Sequence, residues 1–228
     1  MIQITYLSHS GFVLDFTDKT LVFDYYKGNL RKYLTKEKEV IFFVSHAHFD
    51  HFRKDIFAFA NDYQASYILS DDIKAEKEEN RLFVRADQNY DFKDMKIRTL
   101  KSTDEGVAFC LKIEDYDIFY AGDLNLWCWQ EEGEQFNQKM TVAYQQEIEK
   151  IKAEKFDLAF FPLDPRQKED FYLGLDYFMK KTNTQKVVPM HMWGKYEYID
   201  KLLALPKASA YRDKIVKITK EEQSFSIE

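Results

Sequence analysis

Three histidines and an aspartate fall within one hexapeptide, His46-Ala47-His48-Phe49-Asp50-His51, directly after the apolar run Val40-Ile41-Phe42-Phe43-Val44. The run is β-branched and aromatic throughout, which predicts a strand buried on both faces. The segment after it is too polar for a packed core, which would have to satisfy every ring nitrogen and carboxylate oxygen. Neutral imidazole is the commonest protein ligand for zinc and its neighbours, and carboxylate suits the harder ions of that series. The spacing therefore predicts a short loop at the C-terminal end of a buried strand, turning several side chains onto one ion.

The remaining two of the five histidines stand in comparable places. His9 lies in Ser8-His9-Ser10-Gly11, after the alternating, strand-like Ile2-Gln3-Ile4-Thr5-Tyr6-Leu7. His191 closes Lys186-Val187-Val188-Pro189-Met190-His191. A Gly-Asp pair, Gly122-Asp123, follows the strand-like Tyr116–Ala121. Gly-Asp is also a common turn, so its order and strand context give it weight rather than its composition.

The hexapeptide resembles the HxHxDH signature of the metallo-β-lactamase superfamily. The resemblance implies that His46 and His48 bind one metal, and Asp50 and His51 a second. It further implies Asp123 as a bridging ligand and His191 as the late ligand of the second site. The Ser8-His9-Ser10-Gly11-Phe12 segment resembles the ascorbate-6-phosphate-lactonase-like branch, in which an early histidine lies near the metals or the substrate. A hydrogen-bonding role for His9 in a strand-to-strand turn is the alternative.

One expected ligand is absent. The family places another histidine between the hexapeptide and the Gly-Asp pair, and no histidine occurs between His51 and His191. The matching region is Lys101-Ser102-Thr103-Asp104-Glu105-Gly106. Asp104 is the best substitute, with Ser102 and Thr103 behind it; a carboxylate there favours Mn²⁺ or Fe²⁺ over Zn²⁺. Asp104 is equally a residue that caps a turn. Without it the first site keeps two histidines and Asp123.

The fold implied by the resemblance is α/β, a four-layer αββα sandwich of two mixed β-sheets flanked by helices, with residues 1–228 as a single metallo-hydrolase domain. The implied activity is a metal-dependent hydrolase with one or two divalent ions, Zn or Mn with Fe possible. A metal-bound hydroxide would attack a small ester, lactone or phosphoester. Asp50 would orient the nucleophile as well as bind metal, and His9 is the candidate for proton transfer. Two alternatives remain: a partly degenerate metal-binding protein without hydrolase activity, and a di-iron redox protein on the same fold.

Substrate residues are harder to read. The loop after Asp123, Leu124-Asn125-Leu126-Trp127-Cys128-Trp129, offers Trp127 as a wall, or else as core. Arg166 in Asp164-Pro165-Arg166 is a candidate carboxylate or phosphate clamp, or else a surface ion-pair partner. The net charge of −6 counts against general nucleic-acid binding. Cys110 and Cys128 lack metal-knuckle spacing; Cys110 reads as core, and so does Cys128, with a place lining a pocket as its alternative. No signal peptide and no long apolar run is apparent, so a cytoplasmic location, a small-molecule substrate and no membrane partner are expected.

Strands are predicted at about 2–7, 11–16, 20–25, 40–45, 66–70, 81–85, 95–101, 107–113, 117–121, 156–163, 187–191, 215–219 and 224–227. Helices are predicted at 52–60, 137–154, Lys168–Lys181 and Tyr196–Leu205, the second from Met140, Tyr144, Ile148 and Ile151 at helical spacing. No internal repeat is visible in the sequence.

Overall fold

The computed structural model describes residues 1–227. The chain divides into two compact units: Met1–Arg85 together with the segment from Lys220, and Ala86–Thr219. Each contains one mixed sheet, so the fold is α/β with two mixed sheets and helices.

The first unit holds β1 (Ile2–Ser8), β2 (Gly11–Asp15), β3 (Lys19–Phe23), β4 (Glu39–Val44), β5 (Ala65–Ser70) and β6 (Arg81–Val84). The second holds β7 (Asn89–Phe92), β8 (Met95–Lys101), β9 (Val107–Ile113), β10 (Tyr116–Tyr120), β11 (Lys155–Pro162) and β12 (Asn183–Met190). A last strand, β13 (Gln223–Ile227), returns to the first sheet, whose order is β13-β1-β2-β3-β4-β5-β6.

β4 is buried along nearly its whole length because both of its faces are covered. On one face Phe42 stacks on Tyr67 at 5.3 Å and meets Phe59 at 5.4 Å. On the other Phe43 stacks on Phe23 at 4.8 Å. Each such phenyl contributes about 1.5–3 kcal/mol by burial. The helix expected over 52–60 is instead a 3₁₀ segment, Lys54–Asn61. Only Ile56 and Phe59 are buried in it, and a spacing of three lines them up on one ridge of a 3₁₀ turn.

The second sheet runs β12-β11-β10-β9-β8-β7. Helices α1 (Gly133–Glu149), α2 (Leu173–Lys181) and α3 (Glu197–Ala204) belong to this unit. Phe178 of α2 stacks on Phe119 at 4.8 Å and on Phe161 at 4.9 Å. Two expected elements are not met in this unit, and one strand is additional. The Lys168–Lys181 helix is interrupted: Pro165–Asp170 is 3₁₀, with Lys168 at φ 53, before α2 begins. Ile215–Thr219 is not a strand; only Ile215 bridges, to Val187, and Ile218 alone is fully buried. β7 was not expected, because its Asn, Asp and Tyr residues suit an exposed edge rather than a core strand.

The two sheets repeat one topology that the sequence hides. β1, β2 and β3 are antiparallel, and β4 and β5 then continue in parallel. β8, β9 and β10 are antiparallel, and β11 and β12 continue in parallel. In each sheet the polar candidates follow the same four places at one edge. They are the first turn (His9; Asp104), the end of the third strand (Asp24; Asp123), the end of the fourth (His46; Asp164) and the end of the fifth (Asp72; His191). Among the described residues no helix is long and apolar enough to cross a membrane.

Candidate metal centre

In the first unit the hexapeptide is held from beneath by Asp24, fully buried directly after β3. Its carboxylate accepts the Ser45 amide at 2.8 Å, the Ser45 hydroxyl at 2.6 Å and Nδ1 of His51 at 2.7 Å. A carboxylate only accepts, so the proton of His51 sits on Nδ1 and the lone pair of Nε2 points away from Asp24. That is how a buried carboxylate fixes the tautomer and orientation of a metal-binding imidazole. Asp72, after β5, accepts the Ala47 amide at 2.8 Å and steadies the same loop.

The donors then converge. Nε2 of His46 lies 3.0 Å from Nδ1 of His48, and Nε2 of His9 lies 3.2 Å from Oδ2 of Asp50. Donor atoms of His9, Asp50 and His51 all lie within 4.8 Å of one another, as do those of Asp24, His46 and His51. Two donors on a tetrahedral zinc, each about 2.0–2.1 Å from the ion, are about 3.3 Å apart. The observed separations therefore have the length of a coordination edge, and the donor chemistry fits a divalent cation. His9 adopts φ 54 and Asp24 φ 40, left-handed conformations uncommon outside glycine and typical of functional positions. Burial works to raise the Asp50 carboxyl, but the His9 and His51 rings beside it hold it below the usual carboxylate range.

The second unit repeats the device. Asp164, fully buried after β11, accepts Nδ1 of His191 at 2.9 Å. Nε2 of His191 then lies 3.4 Å from Oδ1 of Asp123, again a coordination edge. His191 is itself left-handed, at φ 64. Burial works against its protonation, yet Asp123 and Asp164 push its pKa up to about 10. Burial likewise works to raise Asp164, while His191 and Arg166 bring it down to about 2. Asp123 and Asp164 thus favour positive charge beside them, of the kind that a proton or a divalent ion carries.

Asp104 is exposed, and its carboxylate lies within 4.8 Å of that of Asp123. Its amide also donates to Ser102 Oγ at 3.1 Å, so it is a turn residue and a neighbour of Asp123 at once. Thr103 ties the two loops together: its hydroxyl donates to the Asn125 carbonyl at 2.5 Å and accepts the Asn125 amide at 3.0 Å.

The substrate candidates are placed differently from one another. Trp127 is 5% exposed, and its indole N–H donates to the Asp123 carbonyl at 2.9 Å, so it braces the site. Arg166 gives Nε and Nη2 to Asp164, Nη2 at 2.5 Å, and so acts within the network that holds His191. Cys110 is core and Cys128 half-buried, and burial pushes each thiol up to about 11. Sequence reasoning missed Asp24 and Asp72, and read Asp164 only as the start of the Arg166 segment. The available signal was positional: Asp24 follows an apolar strand much as Asp123 does.

A family profile described as the beta-lactamase superfamily domain matches residues 3–142. No curated protein sequence matches the chain. Igni18, a metallo hydrolase of the archaeon Ignicoccus hospitalis, is similar in fold at 16% identity and TM-score 0.66, over 100% of this chain and 99% of that one. YhfI of Bacillus subtilis, a metallo-beta-lactamase fold protein, is similar at 15% identity and TM-score 0.67, over 99% of this chain and 100% of that one. The diiron β-hydroxylase CmlA of Streptomyces venezuelae is similar at 9% identity and TM-score 0.54, over 84% of this chain and 45% of that one. At such identities the likeness is one of fold.

Proposed function

Because the chain belongs to the beta-lactamase superfamily, we propose that it is a metal-dependent hydrolase of a small ester, lactone or phosphoester. In this reading His46, His48, Asp50 and His51 of the first unit, and Asp104, Asp123 and His191 of the second, are the metal ligands. The observation that carries it is the pair of ligand separations, 3.0 Å for His46–His48 and 3.4 Å for Asp123–His191, each within one unit. The donor set includes carboxylates in the place of a third histidine, which suits Mn²⁺ or Fe²⁺ as well as Zn²⁺. The resemblance of the His9 segment to the ascorbate-6-phosphate-lactonase-like branch supports a site role for His9, not a particular substrate.

Bound divalent ions would supply an acidified water and polarise the electrophilic oxygen of the substrate. The residues do the rest. Asp24 and Asp164 keep His51 and His191 in the tautomer whose Nε2 faces the site. Asp50 stays ionised, so it would orient a water by accepting its hydrogen bond as well as bind metal. His9, beside Asp50, would be the group that takes up and returns a proton.

The test is metal analysis of purified protein together with a screen of esters, lactones, thioesters and phosphodiesters. Two equivalents of Zn or Mn with turnover support the proposal. Iron without hydrolysis favours redox chemistry on this fold, and no metal favours a degenerate site.

A further inference from the structure

Two of the three tryptophans of the chain pack against one histidine, and the third stacks on one of those two. The Trp127 ring lies 5.6 Å from His191 and stacks parallel to Trp129 at 5.7 Å. The Trp193 ring stands edge-on to His191 at 5.7 Å. Folding accounts for Trp127, which is buried and bonded to Asp123. It does not account for Trp193, which keeps 39% of its surface in water and sits at φ 53, a costly conformation for a bulky residue.

Arg166 completes the arrangement. Its guanidinium lies over Trp193 at 4.8 Å and over Trp129 at 5.6 Å, while its fork is bonded to Asp164. The cation orients the two indole faces, and its charge is already offset by a buried carboxylate. It is therefore a weak anchor for a phosphate and a good spacer between flat rings. In the first unit Phe49, between His48 and Asp50, is 75% exposed. An exposed phenyl inside a ligand loop contributes nothing to a core.

We infer that Trp193, held by Arg166, forms a platform for a flat apolar group, so that the substrate carries an aryl part beside its scissile bond and is not a compact phosphorylated polyanion. This rests on the hydrolase reading above for the reaction, but not for the binding. Stacking on an indole face distinguishes an aryl from a methyl group by about tenfold in affinity.

Benzohydroxamate and acetohydroxamate share one metal-chelating group and differ in the ring. Titrated into metal-loaded protein and followed by tryptophan fluorescence, which here reports only this cluster, benzohydroxamate should bind about tenfold more tightly. Trp193→Ala should abolish that preference at unchanged metal content, and Trp193→Phe should restore part of it. Equal affinities, a preference that survives Trp193→Ala, or tighter binding of glycerol phosphate than of benzohydroxamate overturns the inference. If the protein takes up no metal, the hydrolase reading fails separately. The platform is then tested on metal-free protein with 2-phenylethanol against ethanol: a saturable fluorescence change with 2-phenylethanol alone, lost in Trp193→Ala, supports it, and no change overturns it.

Discussion

Asp164 accepts the Nδ1 proton of His191 at 2.9 Å while lying fully buried. Asp24 does the same for His51 at 2.7 Å in the other unit. Each carboxylate turns an imidazole into a ligand of fixed orientation, and loss of such a partner typically costs 10- to 100-fold in metal affinity. Asp164→Ala should therefore weaken binding of one ion by about that factor, read by chelator competition. Affinity equal to wild type would show that His191 is held by packing alone.

Asp24 carries more. It also accepts the Ser45 amide and hydroxyl, so removing it strands three buried donors. Leaving a buried donor unpaired costs about 1–3 kcal/mol. Asp24→Ala should thus lower metal affinity and also destabilise the metal-free protein, by several kcal/mol at the order of magnitude these donors set. Urea unfolding checks it. A variant that loses metal but unfolds like wild type would mean that Ser45 finds other partners.

The charge balance at His191 makes a prediction about pH. In metal-free protein its pKa is raised to about 10 by Asp123 and Asp164. A group raised on folding stabilises fully below its unfolded value of about 6.5, and that contribution is lost as pH rises through the folded value. Asp164, brought down to about 2, acts oppositely: its contribution is present above about 3.9 and is lost as pH falls through the folded value. The Tm of chelator-treated protein should therefore fall from pH 6.5 towards 10, and metal should flatten that limb by replacing the proton. Metal binding near pH 8 should release about one proton from this site, seen as a buffer-dependent heat of binding. A chelated protein whose Tm holds constant over that range, with His191→Gln behaving alike, contradicts the assignment.

Much of this was legible from residue order. The buried strand Glu39–Val44 and the loop after it follow from a continuous apolar run meeting a polar cluster. The aspartates that orient the histidines were not legible, because a lone Asp after a strand looks the same whether it caps a turn or holds a ring. Asp24 and Asp164 gain their meaning only from partners each 27 residues away in sequence. Arg166 shows the converse: its type suggested a ligand clamp, and its fork is bonded two residues back, to Asp164. The repeated sheet topology left no trace in sequence, since any apolar β-former serves at a strand position.

Gly174, in the first turn of α2, is where packing reaches the candidate ligands. A Cβ there would come within 1.8 Å of Asn125 Oδ1 and 3.0 Å of the Leu126 amide nitrogen. Asn125 cannot yield freely: its amide group donates to Gln167 at 3.0 Å, and its backbone is clasped by the Thr103 hydroxyl. Alanine would gain up to about 1 kcal/mol in helix propensity over glycine. Overpacking costs about 1–3 kcal/mol and here falls on a bonded loop, so the clash should win. Gly174→Ala should thus be destabilising, and by displacing Asn125 it should shift Asp104 relative to Asp123 and weaken one ion. Thr103→Val removes the clasp without adding a clash, so it should weaken the same ion with a smaller loss of stability. If Gly174→Ala melts at or above the wild-type temperature and both variants bind metal normally, the Asn125 loop is not what sets the spacing of these two carboxylates.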